Sequence, residues 1–235
     1  MKILLLILAR HGSVRLPKKN SRVFNGKKSL FDVTYNFCQK RKDFGKWEFD
    51  ILVSSNDPVI NASLKNQTRY TYDYVRPDRL SGAGISSNET AIDAIDWYTR
   101  NVGTFGYCIL LQPTSPLRTH LGMDRFLNGL KNKEMCYASI SPLNIKKSEI
   151  VLMYNESFNP VFEEGSSLEP SSSQLFFEDG AYYSASFQYI GAKRKIFDPK
   201  DYRYIFAEEN FQIDVDTYED FLLAKCLFRQ RNLDK

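Results

Sequence analysis

Lys2-Ile-Leu-Leu-Leu-Ile-Leu8 runs directly into Ala9-Arg-His-Gly-Ser-Val-Arg-Leu-Pro-Lys-Lys-Asn20. The apolar run is far shorter than the ~18 residues of a membrane span. It is also near the floor of a signal-peptide apolar region, and Arg10 and His11 follow with no small-residue cleavage site. A buried first strand therefore accounts for it, and the polar turn after it is where an open sheet places its ligand. Further short apolar runs at Ile51–Ser54, Tyr72–Val75, Tyr107–Leu111 and Tyr137–Ile140 read as strands. Helix-period stretches separate several of them. Leu30, Phe31, Val33, Thr34, Phe37 and Cys38 form one stripe behind Ser29 as N-cap. Ala91, Ile92, Ile95 and Tyr98 form a second after Asn88, and Met123, Phe126, Leu127 and Leu130 a third ahead of Lys131. Alternating β and α segments imply an α/β, Rossmann-like fold with a mainly parallel sheet.

The rhythm changes past residue 141. Residues 142–180 carry Pro142, Pro160 and Pro170 with two serine runs, and read as an excursion with short strands near Ile150–Tyr154 and Ala181–Ala185. The expected organisation is a single domain over 1–235, with an arm or insertion at approximately 142–190 that is functional or a contact surface. A last helix starts at Thr217, where Thr217 and Asp220 make a capping box ahead of Phe221, Leu222, Ala224 and Phe228.

Composition removes several function classes. With 17 Phe and 14 Tyr in 235 residues, the chain has too much aromatic surface to stay disordered. Four cysteines, Cys38, Cys108, Cys136 and Cys226, form no CxxC pair, so zinc-finger and thioredoxin-like readings lack support and reduced thiols are expected. The net charge of +4 is mild and acidic residues are scattered among the basic ones. That pattern suits a small polyanion better than a nucleic acid, and the expectation is a cytoplasmic protein with no membrane partner.

Three polar clusters can carry chemistry. In the first, Gly12 and Ser13 permit a sharp turn that presents backbone N–H groups, and Arg10, Arg15, Lys18 and Lys19 surround it with cations. Such a loop either cradles phosphates, whose oxygens take charge-assisted donors, or is a solvated basic loop; it is not a Walker loop. The second, Leu110-Leu-Gln-Pro-Thr-Ser-Pro-Leu-Arg-Thr119, is stiffened by two prolines. It either holds Gln112, Thr114, Ser115 and Arg118 against a ligand or is a plain rigid connection. In the third, Ile213-Asp-Val-Asp-Thr217, alternation sends Asp214 and Asp216 to one side. Two carboxylates there suit Mg²⁺ completed by phosphate oxygens; alternatively Asp216 favours the helix N-terminus and Asp214 faces water.

Taken together with Gly26-Lys27, these blocks resemble, in order and over nearly the whole chain, the acylneuraminate cytidylyltransferases. These enzymes are also called CMP-sialate synthetases, with relatives acting on pseudaminate, legionaminate and Kdo-type acids. The resemblance implies a nucleotidyltransferase domain that is a homodimer and joins CMP from CTP to a 2-keto-3-deoxy sugar acid, releasing pyrophosphate. It also implies that the arm at approximately 142–190 contributes to the dimer and the sugar site. By the same resemblance Arg10, Ser13, Lys19 and Asn20 hold the triphosphate and cytidine end, and Arg76 and Ser87 belong to the nucleotide pocket. Gln112 faces the sugar, with Lys147 and Tyr183 on the sugar side, and Asp214 and Asp216 carry Mg²⁺. Arg10, Lys19, Asp214 and Asp216 are then the catalytic set, while His11 and His120 stand aside.

The chain departs from the family pattern at Ser54-Ser-Asn-Asp57, where Asn56 takes a usually acidic position. It departs again at Leu80-Ser-Gly-Ala-Gly-Ile-Ser86, where Ala83 takes a common Asp position. No arginine occurs from 165 to 183, which implies a sugar pocket altered from that of the sialate enzymes. The competing expectations are a nucleotidyltransferase for another acceptor, such as an eight-carbon Kdo-type acid, and a non-catalytic nucleotide-binding protein of the same fold. A nucleic-acid-binding module is a third.

Overall fold

Ile3, Leu5 and Ile7 lie under one layer of helices, and Leu4 and Leu6 under another. All five are fully buried, because a strand covered on both faces has no polar side. The computed structural model describes residues 1–42, 47–65, 72–82, 84–142, 151–154, 157–160 and 176–233. In chain order the strands are β1 (Lys2–Ala9), β2 (Val23–Asn25), β3 (Lys28–Ser29), β4 (Glu48–Ser55), β5 (Tyr107–Leu110), β6 (Cys136–Pro142), β7 (Val151–Tyr154), β8 (Ser157–Pro160), β9 (Phe176–Ser186) and β10 (Tyr202–Phe206). The α-helices are α1 (Leu30–Lys42), α2 (Pro58–Lys65), α3 (Ser87–Asn101), α4 (His120–Gly129), α5 (Phe187–Lys193) and α6 (Tyr218–Leu233).

The main sheet has six strands in the order β10-β6-β9-β5-β1-β4. β1 pairs in parallel with β4 and β5, and β6 with β10, while β9 runs antiparallel between β5 and β6. The α/β, mainly parallel expectation therefore holds, with one reversed strand near the middle. α1 and α4 cover one face, where Phe31, Tyr35 and Phe126 pack on Ile51 and Ile109. α3 and α5 cover the other, where Ala91, Ile95 and Tyr98 meet Leu52 and Cys108.

Several expectations need correction. Tyr72–Val75 forms no strand. Its rings are used against α3 instead: Tyr72 meets Tyr98 edge-on at 5.5 Å, and the Tyr74 hydroxyl donates to Asp93 at 2.8 Å. α3 is capped by Ser86, which completes a capping box with Glu89, while Asn88, ahead of the apolar stripe, accepts from the Ile196 N–H. Ala181–Ala185 is no short strand but part of the 11-residue β9, so residues 176–186 of the expected arm lie in the main sheet. The expected strand at 150–154 is seen as β7, paired with β8; residue 150 lies outside the described residues. Leu222 stays 45% exposed, since it is turned about 100° along α6 from the buried Phe221. β10 is not legible in the sequence, because an edge strand shows no two-sided apolar run.

The caps at Ser29 and Thr217 form as expected. The Ser29 N–H donates to Asp32 at 2.8 Å and the Thr217 N–H to Asp220 at 2.8 Å, and each acid's own N–H returns a bond to the capping hydroxyl. No helix among the described residues is long and apolar enough to cross a membrane.

Phe126 is fully buried and stacks on Tyr182 at 5.1 Å. Phe126→Ala should cost about 3–5 kcal/mol, whereas Leu222→Ala should change stability by less than about 0.5 kcal/mol. Urea unfolding midpoints of the two variants check both.

Candidate active site

The carboxyl ends of β1 and β5 open into a cleft of about 240 Å³. Its walls are the residues 10–20 loop, the start of α3, the loop after β5 and the segment before α6. Each wall is fixed by identifiable contacts. The basic loop turns through Lys18 in a left-handed conformation (φ 56°), and its Asn20 amide donates to the Arg10 carbonyl at 3.0 Å. Leu16 sinks into an apolar cluster with Phe24, Leu117, Ile213, Val215 and Phe221. From the β4 side, Asn56 accepts the His11 N–H at 2.9 Å and Asp57 accepts the Ser21 hydroxyl at 2.9 Å. The loop that reads as either a phosphate cradle or a solvated run is thus folded against the protein, and Arg10, Ser13, Arg15 and Lys19 line the cleft.

The same apolar cluster sets the acidic segment. Ile213 and Val215 are buried in it, so the alternating Asp214 and Asp216 turn the other way. The Val215 N–H donates to the Thr114 carbonyl at 2.8 Å and ties the segment to the loop after β5. Asp214 lies over Gly180, whose φ of +66° suits glycine; a Cβ there would meet the Asp214 carboxyl at 3.7 Å and the Ser115 hydroxyl at 3.4 Å.

Asp214 opens toward solvent, yet the surrounding walls strip water from its carboxyl. This desolvation raises its pKa above the usual carboxylate value, and the Asp216 charge raises it further. Asp216 lines the cleft and is gripped by the Lys19 ammonium at 3.0 Å and the Arg15 guanidinium at 2.8 Å.

The nucleotide-side expectations meet in this one space: Arg10, Ser13, Lys19, Asn20, Arg76 and Ser87 all line the cleft, with Gln112, Thr114 and Asp216. Arg76 is buried, donating to the Leu80 carbonyl at 2.9 Å and to Thr90 at 3.0 Å; burial first, and then the Arg10 charge, lowers its pKa. Arg10 donates to the Gly82 carbonyl at 3.0 Å.

Other expected site residues sit elsewhere. Ser115 is buried and donates to the Gly180 carbonyl at 3.0 Å. Arg118 lies behind the wall with its donors on the backbone carbonyls of Gln112, Ser115 and Ala181, so it builds the site and does not line it. Tyr183 points to Glu178, its hydroxyl donating at 2.8 Å. Burial and then Glu178 push that hydroxyl's pKa up, with a smaller contribution from Asp214 that marks its nearness to the acidic segment. Lys147 lies outside the described residues. His120 stacks on Phe37 at 4.7 Å, away from the cleft. Thr90 and the apolar Leu8, Ile85 and Pro113 line the cleft without having been singled out in the sequence. Thr90 follows Ser87 at helical i+3 spacing, which is the signal that could have found it.

Among the described residues no cluster of three or more His, Cys, Asp or Glu side chains could hold a metal. Two neighbouring carboxylates, Asp216 facing the phosphate-sized space and Asp214 two positions away and short of water, still suit Mg²⁺. That ion keeps several waters and shares phosphate oxygens instead of requiring an all-protein cage.

No family model matches the chain. It is similar over almost its whole length to curated proteins with related names. CMP-N,N'-diacetyllegionaminic acid synthase of Legionella pneumophila is 24% identical over 229 residues, spanning 97% of this chain and 96% of that protein. Pseudaminic acid cytidylyltransferase of Campylobacter jejuni is 24% identical over 235 residues, 97% of each. N-acylneuraminate cytidylyltransferase of Streptococcus agalactiae is 26% identical over 232 residues, 94% of this chain but 52% of that protein. Among solved structures, a CMP:2-keto-3-deoxy-manno-octonic acid synthetase complexed with CTP superimposes with a TM-score of 0.67 at 14% identity, covering 98% of this chain and 100% of that one. A 4-diphosphocytidyl-2C-methyl-D-erythritol synthase from Anaerococcus prevotii gives 0.62 at 10% identity, covering 97% and 98%. At these identities the two structures establish the fold.

The raised carboxyl of Asp214 has a consequence for stability. The folded protein holds that proton to higher pH than the unfolded chain does. Ionised Asp214 therefore erodes stability as pH rises from about 4, the unfolded value, through the raised folded value. In EDTA and without nucleotide, Asp214→Asn should be more stable than wild type at pH 7–8, with the gap shrinking toward pH 4. Urea midpoints across that range check it, and a gap independent of pH would refute the burial argument.

Proposed function

We propose that this chain is a CTP-dependent cytidylyltransferase that joins CMP to the anomeric hydroxyl of a nonulosonic, sialic-like acid and releases pyrophosphate. The observation that carries this is the convergence of Arg10, Ser13, Lys19, Asn20, Arg76, Ser87, Gln112 and Asp216 on one cleft. The relatives named for legionaminic, neuraminic and pseudaminic acids support the sugar-acid class. The chain is related to the acylneuraminate cytidylyltransferases.

In this reaction the sugar's anomeric oxygen bonds to the α-phosphorus as its proton leaves, and the bond from that phosphorus to the pyrophosphate oxygen breaks. Negative charge grows on the transferring phosphate and on the departing pyrophosphate, so catalysis consists of positioning and charge stabilisation. Arg10 and Lys19 oppose the pyrophosphate charge, and Ser13 and Asn20 hold the turn that receives the triphosphate. Arg76 fixes the Leu80 carbonyl and Thr90 on the side where Ser87 meets the nucleotide. Gln112, Thr114, Tyr183 and Lys147 serve the sugar side, and Ser115 and Arg118 hold the loop from behind.

Asp214 and Asp216 are the ligands for Mg²⁺, which when bound supplies Lewis-acid polarisation of the α-phosphate. The enzyme works as a homodimer in the cytoplasm, the compartment that supplies CTP. The region around 142–190 contributes to the dimer and the sugar pocket.

Pyrophosphate release with CTP and Mg²⁺ should appear with one acid of a panel of legionaminate, pseudaminate, Neu5Ac and Kdo, and not with other nucleoside triphosphates. EDTA should stop it. Asp214→Ala and Asp216→Ala should nearly abolish turnover in folded protein. Arg10→Ala should lower kcat/KM by roughly 30- to 1,000-fold, about 2–4 kcal/mol of charge stabilisation. Silence across the panel with every triphosphate would overturn the assignment, and full turnover in both aspartate variants would overturn the metal ligands.

A further inference from the structure

The two carboxylates of the acidic segment are not equivalent. Each oxygen of Asp216 carries its own cation, with Arg15 Nη2 at 2.8 Å from Oδ2 and Lys19 Nζ at 3.0 Å from Oδ1. Asp214 has no ion pair among the described residues, although it stands two positions away on the same side of the segment. A divalent cation approaching the nucleotide-free protein thus finds one carboxylate open and the other already neutralised by two positive groups.

Those two cations also line the cleft that receives the triphosphate. They are held unequally. Lys19 has 15% of its side chain exposed and donates as well to the Val215 carbonyl at 2.8 Å, so its place is set by the segment itself. The Arg15 side chain is 66% exposed, has Asp216 as its ion-pair partner, and is free to turn within the cleft. Phosphate oxygens offer the guanidinium the same forked acceptor geometry as a carboxylate, with more charge.

We infer that Arg15, with Lys19, forms a carboxylate-to-phosphate exchange pair that makes the metal site depend on the nucleotide. Without CTP the pair holds Asp216, and divalent cation binds weakly. With CTP the Arg15 guanidinium turns onto the triphosphate while Lys19 keeps its place between segment and phosphate, Asp216 Oδ2 is released, and the cation enters together with the nucleotide. The inference rests on the cleft being the triphosphate site, and it gives Arg15 a positioning role that the basic run alone does not assign.

Competition of this kind acts in both directions, because coupling between two binding events is reciprocal. Removing the arginine charge frees Asp216 for metal, and removing the Asp216 charge frees the cations for phosphate. Two measurements on full-length protein separate these effects. The first is Mn²⁺ binding without nucleotide, read from the free-ion EPR signal; the second is CTP binding in EDTA, read by calorimetry. R15Q should tighten nucleotide-free Mn²⁺ binding roughly fivefold or more, while weakening CTP. D216N should tighten metal-free CTP binding by a similar factor, even though it removes a metal ligand and turnover with it.

A site in which Arg15 only decorates the surface predicts no change in Mn²⁺ affinity for R15Q, and that result would overturn the exchange. So would unchanged or weakened CTP binding in D216N. If wild-type protein binds CTP while either variant fails to shift as stated, the exchange alone falls. If wild-type protein binds no CTP, the nucleotide assignment of the cleft falls, and the exchange with it.

Discussion

A single buried guanidinium joins the parts of this protein that must not move relative to one another. Arg118 donates to the Ala181 carbonyl at 2.6 Å, the Ser115 carbonyl at 2.6 Å and the Gln112 carbonyl at 2.5 Å, and its plane lies over the Tyr182 ring. Desolvation lowers its pKa, but an arginine starts so high that it stays charged. A buried charge is tolerated only when its donors are satisfied, so the loop after β5 and the reversed strand β9 are held at fixed separation. Beside it Glu208 is buried as well, accepting from the Thr119 N–H at 2.7 Å and the Tyr182 hydroxyl at 2.8 Å. Asp179 takes the hydroxyls of Ser139 and Ser141 and the Ala181 N–H. This polar layer forms a stiff floor beneath the cleft.

The floor explains how a loop-built site keeps its geometry. Ser115 fastens Gly180, Gly180 leaves room for Asp214, and the Thr114 carbonyl receives the Val215 N–H. Apolar burial of Leu16 and Val215 in one cluster places the basic loop and the acidic segment face to face. Charge stabilisation of a transferring phosphate depends on groups already in position before the reaction begins, and here packing does that work while the charged side chains remain free to exchange partners.

Legibility in the sequence followed burial. β1, β4, β5 and β6 could be read because strands covered on both faces must be apolar throughout, and the caps at Ser29 and Thr217 because a hydroxyl and an acid three residues apart are a local signal. Tyr72–Val75 misled because aromatic residues favour strands only where a pleated surface awaits them; here α3 takes the rings instead. In the site, the basic loop and the alternating aspartates were visible as charge patterns. The role of Arg118 was not, since nothing in a Ser-Pro-Leu-Arg run shows whether the guanidinium faces a ligand or three carbonyls. The pairing of Arg15 and Lys19 with a carboxylate some 200 residues away was equally invisible, being a product of the folded chain.

The reversed strand has a consequence for how the chain is made. β4, β1 and β5 are all present once residue 110 has emerged, yet the outer edge of β5 can be closed only by β9, which ends at Ser186. Throughout that interval of synthesis the nascent sheet ends in Tyr107-Cys-Ile-Leu110, an apolar strand with its N–H and C=O groups unpaired. Such an edge invites pairing with another chain. β6 and β10 have no route to the first three strands except through β9. The strand inserted near the centre, β9, is thus the one on which the two halves of the sheet close.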